Sequence, residues 1–303
     1  MRRFVTRRIT LPSALCLVLI MLVPAALAGR VRVIHEARSL QPGEVVLLRI
    51  SGDAPIEEAR AAALDHEYSF FETDDPTVRE TLIGLDLAVK PGTYRVRVTG
   101  RCGNGPFDAT DSLKVVAKKF PVRRITVDEK FANPPARVMD RIAREQKLVS
   151  SIFGKVTAVR YWRAPFHRPV PGVALSSFGK RSIVNGQPRS PHSGTDFRAA
   201  SGTPVEAPND GKVVLAQSLY FSGNTVIIDH GMGLYSYLCH LSAFRVKAGQ
   251  DVRKGVVIGL VGATGRVTGP HLHWTTRLVG ARVDPLSLMN VLAGLTDDVP
   301  LSK

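Results

Sequence analysis

A chain of 303 residues carries 41 Lys and Arg against 26 Asp and Glu, a formal charge of +15. Its length favours two domains over one, and three cysteines do not furnish a cysteine-rich structural metal site. The basic balance favours an anionic polymer as partner, yet no arginine-rich helix or aromatic stacking motif supports nucleic acid, which is excluded.

In chain order, Arg2, Arg3, Arg7 and Arg8 precede an apolar run from Ala14 to Leu27 that closes with Ala26-Leu27-Ala28. That is the arrangement of a secretory signal peptide (1–28) cut after Ala28. The run is short for a permanent span and broken by Pro24, so no membrane span is expected after cleavage. Leu15 before Cys16 does not suit lipidation. Residues 29–118 read as a β-sandwich of immunoglobulin-like type, with strands at 31–34, 44–50 and 93–99 and turns at Gln41-Pro42-Gly43 and Lys90-Pro91-Gly92. Tyr94, Val96 and Val98 alternate with polar partners, as a half-buried strand requires. A short helix is expected from Glu57 to Leu64. Residues 119–170 form a connector with one helix, capped by Asn133 and carrying Pro134 and Pro135 in its first turn. Val138, Ile142, Val149 and Ile152 fall near one helical face, and Arg137, Arg141, Arg144 and Lys147 lie elsewhere. Residues 171–290 read as nearly all β. Apolar runs at 212–216, 225–229 and 256–261, bounded by glycine turns, suit a buried antiparallel sheet with a groove for an extended peptide. A short helix after Asp284 and a tail (291–303) end the chain.

Within this last domain His192-Ser-Gly-Thr-Asp196 is followed by Gly-Pro-His271-Leu-His273-Trp274. Side chains alternate faces along a strand, so His271 and His273 point one way and Leu272 the other, and the even offset from His192 to Asp196 acts alike if that segment is extended. Four metal-competent groups can thus converge on one side of a sheet. Two imidazoles and one carboxylate suit a catalytic zinc ion, with one position left for water. His35, His66 and His167 have no such pattern and are read as structural, and His230 as a strand-ending turn residue. Cys102 and Cys239 are expected to stay unbridged, with Cys239 packed into the core on the face opposite its neighbour His240.

From about Val173 to Leu288 the chain resembles the M23 (lysostaphin/LytM-like) zinc metallopeptidases, which cut peptide bonds of bacterial peptidoglycan. The likeness is carried by Ser177-Phe178-Gly179-Lys180-Arg181, His192-x-Gly194-x-Asp196, Gly202-Thr203-Pro204-Val205, Asp210-Gly211-Lys212-Val213, Gly223-Asn224, His240-Leu241-Ser242 and Thr268-Gly269-Pro270-His271-Leu272-His273. It implies a mainly β chain ending in an antiparallel-β M23/LytM-like catalytic domain. It implies one zinc ion held by His192, Asp196 and His273, with His240 and His271 as the catalytic histidines, and no other cofactor. Two positions depart from the family pattern. Leu238 stands where many members have tyrosine, and so does Gly186, leaving the oxyanion stabiliser unassigned. The implied partner is peptidoglycan peptide, with an anionic envelope surface beside it, in a periplasmic or cell-envelope location. The layout points to a cross-link between D-alanine and diaminopimelate. A non-catalytic LytM-like wall binder or amidase activator is the alternative, and members of that kind usually lack a metal ligand that this chain retains.

Overall fold

A single strand joins two hydrophobic cores. The computed structural model describes residues 30–103, 105–175 and 177–295, so the expected signal peptide with Cys16, and residues 296–303 of the expected tail, lie outside the described residues. The amino-terminal module contains β1 (Val31–Ala37), β2 (Val45–Gly52), β3 (Ile56–Ala63), β4 (His66–Ser69), β5 (Phe71–Glu72), β6 (Val78–Gly84), β7 (Gly92–Cys102) and β8 (Gly105–Val115). They form two four-stranded sheets, β1-β2-β6-β5 and β4-β3-β7-β8, which enclose Val46, Leu48, Ile50, Ile83, Val96 and Val98. The other face of β2 is also buried. Val45 and Leu47 belong to the core of the carboxy-terminal domain, together with Trp162, Trp274 and Leu288. That double burial accounts for a continuous apolar run where a one-sided strand would alternate.

Polar contacts seal the same junction. The Val45 amide donates to Ser287 Oγ at 2.9 Å, and the Asp284 amide to Gly43 O at 2.7 Å. Arg38 bridges Glu44 (2.9 Å) and Asp284 (2.7 Å), and Lys118 reaches Glu44 at 2.9 Å. Burial opposes the charge on Glu44, but these bonds outweigh it and hold the carboxyl below its usual range. A buried carboxylate survives only with such partners.

Glu57 to Leu64, expected as a short helix, lies mostly in strand β3. Its composition favours helix, yet Ala61 and Ala63 turn inward and the strand pairs with β4 and β7, so burial and pairing override propensity. The connector holds β9 (Val122–Ile125), α1 (Glu129–Ala132) and α2 (Ala136–Phe153). Asn133 is the carboxy-terminal cap of α1, not the start of the long helix, whose amino-terminal cap is Pro135. Asp128 takes the capping role for α1, accepting from the Lys130 amide. Ile152 and Phe153 of α2 pack on Leu215, Ile227 and Tyr235, while Arg137, Arg144 and Lys147 are exposed.

The carboxy-terminal domain comprises β10 (Ala174–Leu175), β11 (Arg181–Val184), β12 (Gln187–Arg189), β13 (Thr195–Phe197), β14 (Pro204–Glu206), β15 (Gly211–Leu219), β16 (Gly223–Gly231), β17 (Leu234–Phe244), β18 (Asp251–Val252), β19 (Val257–Val261), β20 (Leu272–Leu278), β21 (Ala281–Val283) and α3 (Pro285–Leu292). Its main sheet runs β10-β13-β20-β17-β16-β15-β18, and β9 joins β11 and β12 in a small separate sheet. Asp284 caps α3, accepting from the Leu286 amide. His230 is not a turn residue. It lies inside β16, fully buried, its ring bonded to Asp210 O (2.7 Å) and Ser236 Oγ (2.8 Å). Among the described residues no helix is long and apolar enough to cross a membrane.

Candidate metal centre

Strand register builds the centre. Asp196 on β13 lies opposite His273 on β20, and His273 lies opposite Cys239 on β17, so these side chains share a face. His192 precedes β13 in a loop pinned to the chain by its amide to Lys180 O (2.9 Å) and its carbonyl from the Gly179 amide (2.8 Å). Its Nε2 is 3.1 Å from Asp196 Oδ1, and His273 Nδ1 is 2.9 Å from the same oxygen. One donor atom from each of His192, Asp196 and His273 lies within 4.8 Å of the others. Gly194 permits this closeness: a Cβ there would stand 2.5 Å from Trp274 O and 2.7 Å from His273 Nε2.

Two residues on from His273, and therefore on the same face, Thr275 Oγ1 meets His273 Nε2 at 2.8 Å. The spacing that paired His271 with His273 would have found it, but a threonine carries no metal chemistry to draw notice. A cation taken by Nδ1 places the ring proton on Nε2, where Thr275 accepts it.

His271 and His240 flank the trio. Their ring centroids are 5.0 Å apart, and His240 lies 5.9 Å from His273. His271 Nε2 is 3.7 Å from Asp196 Oδ1. His271 Nδ1 donates to Gly269 O at 2.8 Å and His240 Nδ1 to Thr264 O at 2.9 Å. Carbonyls only accept, so each ring carries a proton on Nδ1 and turns its Nε2 edge elsewhere.

The expectation that Cys239 faces away from His240 is corrected here. A bulge places both Cys239 and His240 against Thr225, between the pairs Val226–Leu238 and Asn224–Leu241. His240 takes φ 65°, and alternation fails at that residue. Both side chains therefore line the same groove. Cys239 and Cys102 are free and buried in separate places. Burial, helped by the charge on Asp196, pushes the Cys239 thiol well above its usual value. It is a neutral thiol.

Burial works against a charge on Asp196, but hydrogen bonds from His192 and His273 overcome it and hold the carboxyl well below the usual range. Burial lowers His273, against its bond to Asp196. Burial, reinforced by the charges of His273 and His271, pushes His240 down to about 3. His240 is thus neutral at ordinary pH with a free lone pair.

The cluster floors a groove of about 590 Å³. One wall comes from the connector, through Arg123, Val127, Val149 and Phe153. Leu238 is fully buried opposite Trp274, on the layer away from the site. Gly186 forms the β11–β12 turn with Asn185 (φ 80° and 47°), and a Cβ there would meet open space. Asn-Gly is the signature of such a two-residue hairpin. Tyr237 lines the groove, its hydroxyl bonded to Ser222 Oγ at 2.5 Å. His35 and His167 are elsewhere, beside Asp111 and Glu206.

Asp196 and His273 on the sheet face and His192 from the adjoining loop, with the His240 and His271 rings beside them, form a candidate metal centre. Known proteins agree: the sequence profile of peptidase family M23 matches residues 190–285. A crystal structure assigned to peptidase M23 from Pseudomonas aeruginosa is 32% identical, with a TM-score of 0.64, covering 84% of this chain and 97% of that one. The chain belongs to peptidase family M23. It is 44% identical over 110 residues to peptidoglycan DD-endopeptidase ShyA of Vibrio cholerae, covering 36% of this chain and 25% of that protein. It is 46% identical over 97 residues to DD-carboxypeptidase/endopeptidase Mpg of Neisseria meningitidis, covering 32% and 22%. These matches span about a quarter of the curated relatives' length.

Proposed function

We propose that this protein is a zinc-dependent endopeptidase that hydrolyses peptide bonds of peptidoglycan in the cell envelope. The observation that carries the reading is the His192–Asp196–His273 donor set with His240 and His271 beside it. The donors suit zinc: two imidazole nitrogens and one carboxylate oxygen, the count of a catalytic rather than a closed structural site. Peptidoglycan as substrate is supported by the names of the relatives, and export by the arginine-led apolar stretch within residues 1–28.

When bound, zinc supplies Lewis acidity for the scissile carbonyl and brings the pKa of water from about 15.7 to about 7. His192, Asp196 and His273 would hold the ion, and Thr275 fixes the His273 ring. His240 presents an unprotonated Nε2, and backbone carbonyls fix the Nδ1 side of both the His240 and the His271 rings. They take the proton of the attacking water and pass it to the leaving amine. The apolar connector wall, Val127 and Phe153 among it, lines the channel for the peptide.

His273→Ala should abolish both zinc binding and muropeptide cleavage, whereas His240→Ala should keep zinc and lose turnover by about 10²–10⁴-fold. Zinc content by elemental analysis, with muropeptide products by mass spectrometry, checks both. Undiminished cleavage by metal-depleted His273→Ala refutes the reading.

A further inference from the structure

The charge of the groove is one-sided. Five arginines line it against a single carboxylate, Asp196, which is already engaged by the imidazoles. Three of the five enter from separate segments: Arg123 from β9, Arg189 from the end of β12, and Arg266 from the loop before β20. Arg123 lies next to the cluster, its Nη1 3.8 Å from Asp196 Oδ2, with its Nε donating to Ser182 Oγ at 3.0 Å. Among the described residues Arg189 donates only to neutral acceptors, Ala132 O and Gln187 Oε1, and its Nε is buried without a partner there. Arg266 lies over the Phe221 ring at 4.9 Å and has no carboxylate partner among the described residues.

The three guanidiniums sense one another. Burial lowers the Arg266 pKa, and the charges of Arg189 and Arg123 lower it further. Among the described residues Asp196 is the one carboxylate within reach of the three, through Arg123, and it is shared with the imidazoles; the positive charge left on Arg189 and Arg266 is unfavourable, and a bound anion relieves it. Guanidinium forks match a planar carboxylate, through paired charge-assisted hydrogen bonds. Amide hydrolysis itself needs no such contact, so the cluster serves selection.

We propose that Arg123, Arg189 and Arg266 form a carboxylate subsite that holds a free carboxylate of the peptide substrate beside the bond to be cut. This rests on the peptidase reading above and names its substrate class: peptides carrying a free acid next to the scissile amide, in preference to neutral ones such as glycine bridges. Arg123 sets the distance, because it touches both the subsite and the metal-ligand carboxylate.

The test uses the full-length, zinc-loaded chain and two cross-linked muropeptides that differ at one group, the carboxylate on the amine side of the scissile bond, present as free acid or as primary amide. The wild type should cleave the acid on the order of 10- to 100-fold better than the amide, as loss of a charged hydrogen-bond partner implies. Arg189→Gln and Arg266→Gln should each remove most of that preference through KM, with kcat little changed, and Arg266→Lys should restore part of it. Equilibrium binding of both peptides to zinc-loaded His240→Ala gives a readout free of turnover, and circular dichroism melts report folding of each variant. Equal cleavage and equal binding of the two peptides overturn the subsite, with no variant needed. So does a preference that persists undiminished in both folded glutamine variants, or an absence of binding to either peptide. If neither peptide is cleaved by the wild type while acid-selective, Arg266-dependent binding remains, the peptidase reading fails and the subsite stands.

Discussion

Thr275→Val isolates the contribution of the hydroxyl that orients the imidazole of His273, a proposed metal ligand. His273 is held from both ends, with Nδ1 at 2.9 Å from Asp196 Oδ1 and Nε2 at 2.8 Å from Thr275 Oγ1, and both side chains are buried. Valine keeps the shape and the β-branch of threonine, and the backbone pairing of residue 275 with Tyr237 is untouched. What is lost is the acceptor for the Nε2 proton, so a buried donor is stranded at a cost of about 1–3 kcal/mol. The ring is then also free to adopt the tautomer that blocks Nδ1. Zinc affinity should fall about 10- to 100-fold, which corresponds to about 1.4–2.8 kcal/mol. Competition titration against a chelator of known affinity measures the change, with Thr275→Ser expected near wild type and His273→Ala expected to show no specific site. A Thr275→Val chain that binds zinc as tightly as wild type refutes the reasoning.

The remaining predictions address packing and protonation. Gly194→Ala drives a methyl against Trp274 O and His273 Nε2; strands β13 and β20 must part, at about 1–3 kcal/mol, and a zinc affinity equal to wild type would count against the close fit. Leu47→Ala, at a side chain 1% exposed in the strand shared by both cores, should cost about 2–5 kcal/mol and shift one cooperative urea transition; two separated transitions would show that the modules unfold independently. Burial pushes the His230 imidazole down to about 4 from its ordinary 6.5. The unfolded chain then takes up a proton that the folded chain refuses, so stability fully present above about 6.5 declines as pH falls to about 4, by up to about 3 kcal/mol. Urea midpoints of wild type should drop across that window more steeply than those of His230→Gln; parallel profiles refute the assignment.

Local alternation made much of the centre readable. His271 and His273 obey the two-residue period of extended chain, and the same rule applied once more reaches Thr275; His192 lies in a loop before β13, so its even offset from Asp196 is not strand alternation. The arginines were not readable, because β9 and β12 meet on β11 through a parallel β9–β11 pairing that no local pattern announces, and Arg266 enters the groove from a distant loop. The double burial of β2 was equally hidden, since an apolar run is compatible with any fully buried strand. Helical composition misled at β3 because propensity is weak beside burial and strand pairing.

The failure at Cys239 and His240 has a different cause. Bulges that demand a left-handed residue usually announce themselves with glycine, but here the position is filled by His240 itself, at φ 65°. A non-glycine residue in that region costs about 1–3 kcal/mol and persists only where its surroundings over-determine it. They do: the His240 amide donates to Ser222 O at 3.0 Å and its Nδ1 to Thr264 O at 2.9 Å. Without the extra residue, strict alternation would put His240 on the opposite face from Cys239, in the layer of Leu238 and Trp274. This departure from strand alternation thus falls on a residue proposed to move the proton, and the strain it carries sets the His240 ring 5.0 Å from that of His271 and 5.9 Å from that of His273.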